Sequence, residues 1–295
     1  MREHQQGAIM TVPAPVQRKV STPQGFLAVK DYPGLGIPFV LLHGFPDDST
    51  IYNKLASELQ PRRVITFDFL GYGQSERSQT TPVTEGQRLS ETEAVIDQLE
   101  LDQVIIVGHD AGGPVAVEYA VAHPDRVARM MLLNCYFGDS PTLRFPEMIR
   151  LLGDPHLVPL ADALMRDPAQ RQWLLEYTAQ QFGYEATADI REKAIIPQFF
   201  GSASQPDALD AIRSWTGRLL DDVAVTNDVV ASGRLASLRV PVDIAFGVND
   251  PYLNTGVAEH LAGLFPDSQM HPIDARHWVQ WDDPQAVARI LLRND

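Results

Sequence analysis

Four short, continuous apolar runs, separated by segments of helical character, constrain the fold of this chain more than any other sequence feature. The runs occupy residues 38–42, 63–67, 103–107 and 129–133. Runs without alternating polar residues are typical of strands that are buried on both faces of a parallel sheet. The segments between them, at about 49–60, 85–100 and 112–122, predict helices. Strands that alternate with helices predict an α/β protein with a doubly wound, mostly parallel sheet.

The pattern differs at the start and in the middle of the chain. Segments 19–21 and 26–32 flank the turn formers Thr22-Pro-Gln-Gly25, which predicts an opening hairpin. Residues 137–235 are rich in helix formers and in Asp-Pro and Gln-Pro steps that begin helices, which predicts a helical cap inserted after the sixth strand. The sheet pattern then resumes with a strand at 240–246, a helix at 255–265, a strand at 269–273 and a final helix at 284–292.

We therefore expect a flexible N-terminal extension over residues 1–15, an α/β core formed by 16–136 and 236–295, and a cap over 137–235. The first twenty residues carry charges and two prolines, so they lack the unbroken apolar segment of a secretory signal. No apolar run approaches the roughly 18 to 20 residues that a membrane-spanning helix needs. The sequence predicts a soluble protein.

Charge and cysteine content limit the partners. The net charge of −14 repels phosphates, which argues against nucleic acid and anionic membranes and favours a small neutral molecule as the partner. The single cysteine, Cys135, excludes an internal disulfide and a multi-cysteine zinc site, and it is compatible with a cytoplasmic location. We expect a monomer or homodimer without metal or cofactor.

The segment that follows the run at 103–107 has the spacing of a nucleophile elbow. It places Gly108, Asp110 and Gly112 where a buried strand passes into a helix. A nucleophile at the tip of such a turn needs residues almost without side chains two positions before and after it, because the backbone approaches itself closely there. The alternative is an ordinary turn in which Asp110 caps the helix.

An aspartate at this position favours one kind of chemistry. Its attack on an ester or amide gives a reactive anhydride, and it has no proton for a base to remove. Its attack on a saturated carbon, such as that of an epoxide or alkyl halide, gives an alkyl-enzyme ester that a second step hydrolyses. The sequence thus predicts Asp110 as a covalent nucleophile.

A second strand end supplies an oxyanion site. The run at 38–42 leads into His43-Gly44-Phe45-Pro46, a glycine turn at the sheet edge where open α/β sheets bind ligands. The backbone N–H groups of Phe45 and Ala111 are predicted to form an oxyanion hole. A plain turn is the alternative.

The second step requires a base and a carboxylate that orients it. Asp250 follows the strand at 240–246, and His277 follows the next strand. The chain order Asp110, Asp250, His277 is nucleophile, acid and base, as this fold requires. The alternatives are a solvated loop aspartate and a surface histidine. His43 and His109, at strand ends, are predicted to have structural roles.

These motifs resemble those of the α/β-hydrolase superfamily, within it the branch with an Asp nucleophile, which contains epoxide hydrolases and dehalogenases. The resemblance covers about residues 20–295. It lies in His43-Gly-Phe-Pro46, in Asp68-Phe-Leu-Gly-Tyr-Gly-Gln-Ser75 and in the elbow Gly108-His-Asp-Ala-Gly-Gly113. It implies a cofactor-independent hydrolase with the triad named above.

The resemblance to epoxide hydrolases is the nearest. The residue after the nucleophile is typically Trp in haloalkane dehalogenases and Arg in fluoroacetate dehalogenases, whereas it is Ala111 here. Epoxide hydrolases hold the leaving oxygen with two cap tyrosines, but Thr216 follows Trp215 where a Tyr is often found. The remaining candidate donors or pocket residues are Tyr136, His156, Trp173, Tyr177, Tyr184, Trp215 and Trp278. A dehalogenase with an atypical halide site and a non-catalytic ligand-binding relative are the alternatives.

Overall fold

The computed structural model describes residues 14–77, 84–184 and 209–293, and these build one eight-stranded sheet with helices around it. The strands are β1 (Val16–Thr22), β2 (Gly25–Tyr32), β3 (Leu35–Leu42), β4 (Arg62–Phe67), β5 (Val104–Asp110), β6 (Val127–Cys135), β7 (Val242–Gly247) and β8 (Ser268–Ile273). Their order in the sheet is β1-β2-β4-β3-β5-β6-β7-β8. β2 pairs antiparallel with β1 and β4, and all other pairs are parallel. The predicted doubly wound, mostly parallel sheet with an opening hairpin is confirmed.

Burial explains the apolar runs. Nearly every residue of β5, β6 and β7 is buried, because helices cover both faces of the sheet centre. The edge strand β1 is mostly exposed and has a mixed sequence. The carboxyl ends of β3, β5 and β7 therefore meet at one edge of a rigid sheet.

Several of the helices begin at a residue whose side chain caps the first turn. They are α1 (Asn53–Glu58), α2 (Glu85–Gln98), α3 (Gly112–Ala122), α4 (Glu147–Gly153), α5 (Val158–Arg166), α6 (Pro168–Gln181), α7 (Leu209–Thr216), α8 (Leu219–Ala231), α9 (Arg234–Ser237), α10 (Thr255–Leu264), α11 (Val279–Asp282) and α12 (Pro284–Leu292). Thr84 accepts a hydrogen bond from the Gln87 N–H at 3.1 Å at the start of α2. Asp283 does the same for the Ala286 N–H at 2.9 Å, and Pro284 fills the first position of α12.

Helices α4 to α9 lie in the chain between β6 and β7, so the predicted helical insertion after the sixth strand is confirmed. The boundaries 16–136, 137–235 and 236–295 stay predictions. The predicted flexible extension over 1–15 lies almost wholly outside the described residues.

Two predicted elements have different bounds. The helix expected at 49–60 is a 3-10 helix, Ser49–Tyr52, followed by α1, because Asp48 caps the Thr50 N–H at 2.9 Å and starts a tighter turn. β7 begins at Val242 and not at 240, since Pro241 has no N–H to donate to the ladder. Within the described ranges, no helix has both the length and the apolar character needed to cross a membrane.

Candidate active site

The turn between β5 and α3 has the close backbone packing that the glycine spacing predicts. Asp110 has φ +49°, a left-handed conformation that non-glycine residues rarely adopt. A Cβ atom on Gly108 would lie 2.5 Å from the carbonyl oxygen of Gly112, and one on Gly112 would lie 2.6 Å from that of His43. Only glycine fits at both positions, and Asp110 is held at the tip of the turn.

We expect Gly108→Ala to destabilise the fold by about 1–3 kcal/mol or more, because the added methyl group meets backbone atoms that cannot move aside cheaply. Denaturant unfolding of the variant measures the effect. Gly263→Ala is the matched control, since a methyl group added there would meet no atom within 4 Å. A Gly108→Ala variant as stable as the unmodified protein contradicts the packing argument.

The Asp110 carboxylate is held by the turn at residues 43–46 after β3, which we call the oxyanion loop. Its Oδ1 accepts a hydrogen bond from the Phe45 N–H at 2.9 Å, and a Cβ on Gly44 would lie only 2.4 Å from the Asp110 Cβ. Burial raises the pKa of Asp110, and the charge of His277 and the amides of Phe45 and Ala111 oppose this rise. Both predicted oxyanion donors, the N–H groups of Phe45 and Ala111, therefore contact the Asp110 carboxyl group. Gly44 has no side chain, which allows the loop to approach Asp110.

His277 lies between the two aspartates. Its Nδ1 is 2.7 Å from Asp250 Oδ2, and its Nε2 is 3.8 Å from Asp110 Oδ2. Asp250 accepts the Nδ1 proton, so Nε2 of the neutral ring is free to take a proton. Burial lowers the pKa of His277, but Asp250, Asp110 and Asp47 outweigh it and the pKa is raised. The predicted residues Asp110, Asp250 and His277 thus converge at one point.

Asp250 is fixed by a residue that sequence reasoning missed. Asn134, near the end of β6, donates from Nδ2 to Asp250 Oδ2 at 2.9 Å and accepts the Gly247 N–H at 2.8 Å. The N–H groups of Tyr252 and Leu253 bind Asp250 Oδ1 at 2.9 and 3.1 Å. A polar residue at the carboxyl end of a buried strand is the signal that identifies Asn134.

Asp47 is a second residue that the sequence analysis did not select, although it directly follows the oxyanion motif. It accepts the Trp278 indole N–H at 3.0 Å, and its Oδ2 is 3.4 Å from His109 Nδ1. His109 Nε2 is 3.2 Å from the His277 carbonyl oxygen. Burial raises the pKa of Asp47 to about 7 and lowers that of His109 to about 3, so His109 is neutral. The Nε2–H group of His109 donates to the backbone carbonyl oxygen of His277.

His43 also has a hydrogen-bonding position. Its Nε2 accepts the Phe69 N–H at 3.1 Å, and its Nδ1 is 2.8 Å from the Gly44 carbonyl oxygen. Burial lowers its pKa to about 4, so the ring is neutral and carries its proton on Nδ1. Through these two hydrogen bonds the His43 ring fixes the glycine turn at Gly44. Pro46 follows a cis peptide bond and lines the pocket above Asp110.

A mainly apolar pocket opens above Asp110 and His277, with about 550 Å³ of empty space including its mouth. Its walls come from the oxyanion loop, from the cap and from the loop after β7. The described residues that line it are Phe45, Pro46, Asp110, Tyr136, Arg144, Phe145, Pro146, Met148, Ile149, Thr178, Phe182, Leu219, Tyr252, Leu253, His277 and Trp278. A mainly apolar pocket with a few polar groups is typical of a site for a small molecule.

Two of the seven candidate donor or pocket residues, Tyr136 and Trp278, line this pocket, and the other five do not. Tyr184 points its hydroxyl at Asp282, at 3.2 Å. Trp173 is 56% exposed and stacks on Tyr177 at 5.6 Å, because both lie on the same face of α6. His156 lines a groove on the cap, and Trp215 packs edge-on against Phe45 at 5.7 Å beside the pocket. Among the described residues these five lie outside the pocket lining, and their assignment as donors stays a prediction.

Tyr252 is a pocket residue that the sequence analysis did not select. Its hydroxyl donates to Glu147 Oε2 at 2.6 Å and is therefore already hydrogen-bonded.

Among the residues the structure describes, no three His, Cys, Asp or Glu side chains are grouped so as to hold a metal ion.

Comparisons with known proteins agree on the fold. The alpha/beta hydrolase fold family matches the chain over residues 37–284. Haloalkane dehalogenase 2 of Mycobacterium tuberculosis is 28% identical over 268 residues, which cover 88% of each chain.

Two solved structures are similar to this chain. The epoxide hydrolase CorEH superposes with a TM-score of 0.74 at 22% identity, over 94% of this chain and 97% of the other. The 2-hydroxy-6-oxo-6-phenylhexa-2,4-dienoate hydrolase of a Rhodococcus strain superposes with a TM-score of 0.78 at 20% identity, over 95% and 98%. The family match spans most of the chain. The chain belongs to the alpha/beta hydrolase fold family.

Proposed function

We propose that this hydrolase opens the epoxide ring of a small apolar substrate through a covalent ester on Asp110. The observation that carries the proposal is that Asp110, His277 and the Tyr136 side chain line one pocket. A nucleophile, a base and an acid are thereby available to one bound molecule.

In the first step, Asp110 Oδ2 attacks an epoxide carbon, and the carbon–oxygen bond of the ring breaks. The leaving oxygen becomes an alkoxide, which takes the proton of Tyr136. The Asp110 carbonyl oxygen stays in the hydrogen bond with Phe45 N–H. Because the ester is neutral, one of the carboxylates that raise the pKa of His277 disappears. The base thus loses affinity for its proton when the second step begins.

In the second step, His277 Nε2 removes a proton from a water molecule that attacks the ester carbonyl carbon. The negative charge develops on the oxygen that faces Phe45 and Ala111, whose amides stabilise it. Collapse of this intermediate releases the diol and returns Asp110. Asp250 keeps the ring oriented and stabilises its charged form.

The donors around the pocket favour an epoxide over an alkyl halide. The Trp278 indole is bound to Asp47, the Tyr252 hydroxyl to Glu147, and the Thr178 hydroxyl to the Leu174 carbonyl oxygen at 2.8 Å. Among the described pocket residues this leaves the Tyr136 hydroxyl, which makes no hydrogen bond, and the exposed Arg144. One hydroxyl with a proton to give suits an alkoxide, which is a stronger base than the tyrosine side chain and takes its proton. A halide takes no proton and needs fixed donors.

A dehalogenase is the second candidate, and the similarity to haloalkane dehalogenase 2 favours it. The same Asp110 and His277 would act on a carbon–halogen bond. Ala111 supplies no side-chain donor beside the nucleophile.

The test is a single turnover in H₂¹⁸O with enzyme in excess over substrate, with one panel of apolar epoxides and one of alkyl halides. We expect an unlabelled diol from the epoxides in the first turnover, since the new oxygen comes from Asp110, and labelled diol in later turnovers. Direct attack of water labels the diol at once and contradicts the proposal. Halide release from the second panel, without diol from the first, favours the dehalogenase.

We expect Tyr136→Phe to slow ester formation about 10²-fold, because the alkoxide loses its proton donor, while KM changes little. Stopped-flow or quenched-flow mass measurement of the ester gives the rate constant. Tyr252→Phe is the matched control, since its hydroxyl lines the same pocket but is bound to Glu147. Equal effects of the two substitutions contradict the role of Tyr136.

A further inference from the structure

A second, smaller cavity lies beside the nucleophile elbow, and the mechanism above does not use it. Glu85 and Arg88 of α2, Asp222 of α8, Ala111 and Tyr136 are among its walls, and its empty space is about 260 Å³. Of the described residues, Tyr136 alone lines both this cavity and the substrate pocket. The side chain that faces the substrate therefore also faces a separate polar site.

Some polar atoms of the charged groups that line this cavity have no hydrogen-bond partner among the described residues. Glu85 is 7% exposed, and neither of its carboxyl oxygens has a hydrogen-bond partner within the described part of the chain. Arg88, 1% exposed, binds Glu91 at 2.9 Å and the Leu70 carbonyl oxygen at 3.0 Å through Nη1, but its Nε and Nη2 have no such partner. Buried polar groups of this kind are normally satisfied by ordered water.

The protonation states of the side chains in this cavity set the direction in which a proton would move. Burial raises the pKa of Glu85 to about 9, and the charges of Glu118 on α3 and Asp222 on α8 add to the rise. Glu85 is therefore a neutral acid at pH 7. Burial raises the pKa of Tyr136, and the charges of Asp110, Glu85 and Asp222 raise it further. Tyr136 therefore lies within the electrostatic reach of Glu85 and Asp222. Arg88 lines the same space, and its charge lowers the pKa of Asp222.

We propose that this cavity binds water and that the water connects the Glu85 carboxyl group to the Tyr136 hydroxyl, so that Glu85 supplies the proton for epoxide opening. Glu85 is thus a positioning and proton-supplying residue that acts through Tyr136. This inference rests on the function proposed above.

The proton count of the step balances. As the ring carbon–oxygen bond breaks, Tyr136 gives its proton to the alkoxide, the bridging water gives a proton to the Tyr136 oxygen, and Glu85 gives one to the water. Glu85 becomes a carboxylate next to Arg88. The water that hydrolyses the ester leaves one proton on the diol, by way of His277, and one on the Asp110 carboxyl. That last proton restores Glu85 through solvent when Asp110 ionises.

The kinetic test measures ester formation by intact mass in a His277→Gln background across the pH range, with and without Glu85→Gln. Glutamine keeps the shape of the neutral acid but cannot give up a proton. With Glu85 present, we expect the rate constant to fall above pH of about 9. With Glu85→Gln, we expect that alkaline fall to disappear and the rate constant at neutral pH to drop about tenfold. Glu118→Gln changes an acid outside the cavity whose charge helps to raise the pKa of Glu85. It should therefore keep the alkaline fall, moved to lower pH, and leave the rate constant at neutral pH unchanged.

A high-resolution crystal structure of the unmodified protein gives a readout that needs no substrate. We expect an ordered water within hydrogen-bond distance of both Glu85 and Tyr136. A dry cavity overturns the inference, as does an alkaline fall that survives Glu85→Gln, since a structural role alone leaves it in place. If His277→Gln forms no ester with any epoxide, the proposed function fails, whereas the crystal structure still decides whether the water path exists.

Discussion

We expect His277→Gln to convert this hydrolase into a protein that accumulates its own covalent intermediate. We expect ester hydrolysis to slow by about 10² to 10⁴-fold, because no other group takes the proton of the attacking water. Ester formation continues, since Asp110 needs no base in order to attack. Intact-mass measurement should show one adduct per chain, equal to the whole mass of an epoxide, or to the mass of an alkyl halide less the hydrogen halide.

The control for this trap is His123→Gln. His123 pairs with Glu93 at 2.7 Å after the end of α3, outside the pocket, so its loss should leave turnover unchanged and no adduct visible. Peptide mapping should place the adduct of the His277→Gln variant on Asp110. A folded His277→Gln variant that turns over at the normal rate, or one that gives no adduct from either panel, contradicts covalent catalysis by this pair.

Asp110→Asn abolishes the reaction at its first step. We expect kcat to fall by at least about 10⁴-fold, because residues that act as one unit lose almost all catalysis when the nucleophile is removed. The amide is a poor nucleophile, so no adduct should form even when His277 is also replaced. An adduct that persists in Asp110→Asn places the nucleophile elsewhere.

The same substitution should not weaken the fold, and this separates loss of chemistry from loss of structure. The pKa of Asp110 is raised, mainly by burial, so the folded protein binds its proton more tightly than the unfolded chain does. Its charge therefore lowers stability as pH rises from the unfolded pKa through the folded one. We expect the Tm of Asp110→Asn at pH 7 to equal or exceed that of the unmodified protein. A lower Tm indicates that the carboxylate has a structural role.

Local sequence signals were sufficient to predict the α/β scaffold. The buried runs that became β3, β5 and β6 are continuous because helices cover both faces of the sheet, and this burial is recorded residue by residue in the sequence. The elbow was also visible, since steric contact at Gly108 and Gly112 permits only glycine. Chain order then related Asp110 to Asp250 and His277.

The substrate end of the site was decided by tertiary contacts. Whether a tyrosine serves as a donor depends on where its hydroxyl points and on what already binds it, and neither is a property of sequence spacing. Tyr184 is engaged by Asp282 and Tyr252 by Glu147, while Tyr136 faces the pocket. The partners lie far apart along the chain, as with Tyr184 and Asp282, so no local pattern reports them.

The sequence by itself determined the fold class and the residue types at the strand ends, because burial, helix capping and close backbone packing each act over a few neighbouring residues. The tertiary structure alone decided how those ends meet. It placed His277 Nε2 3.8 Å from Asp110 and Asn134 against Asp250. It also brought Glu85, whose carboxyl group has no partner among the described residues, to the cavity that Tyr136 lines. Hydrogen bonds and charge effects depend on distances between separate elements, and these distances are fixed only when the sheet and the cap have packed.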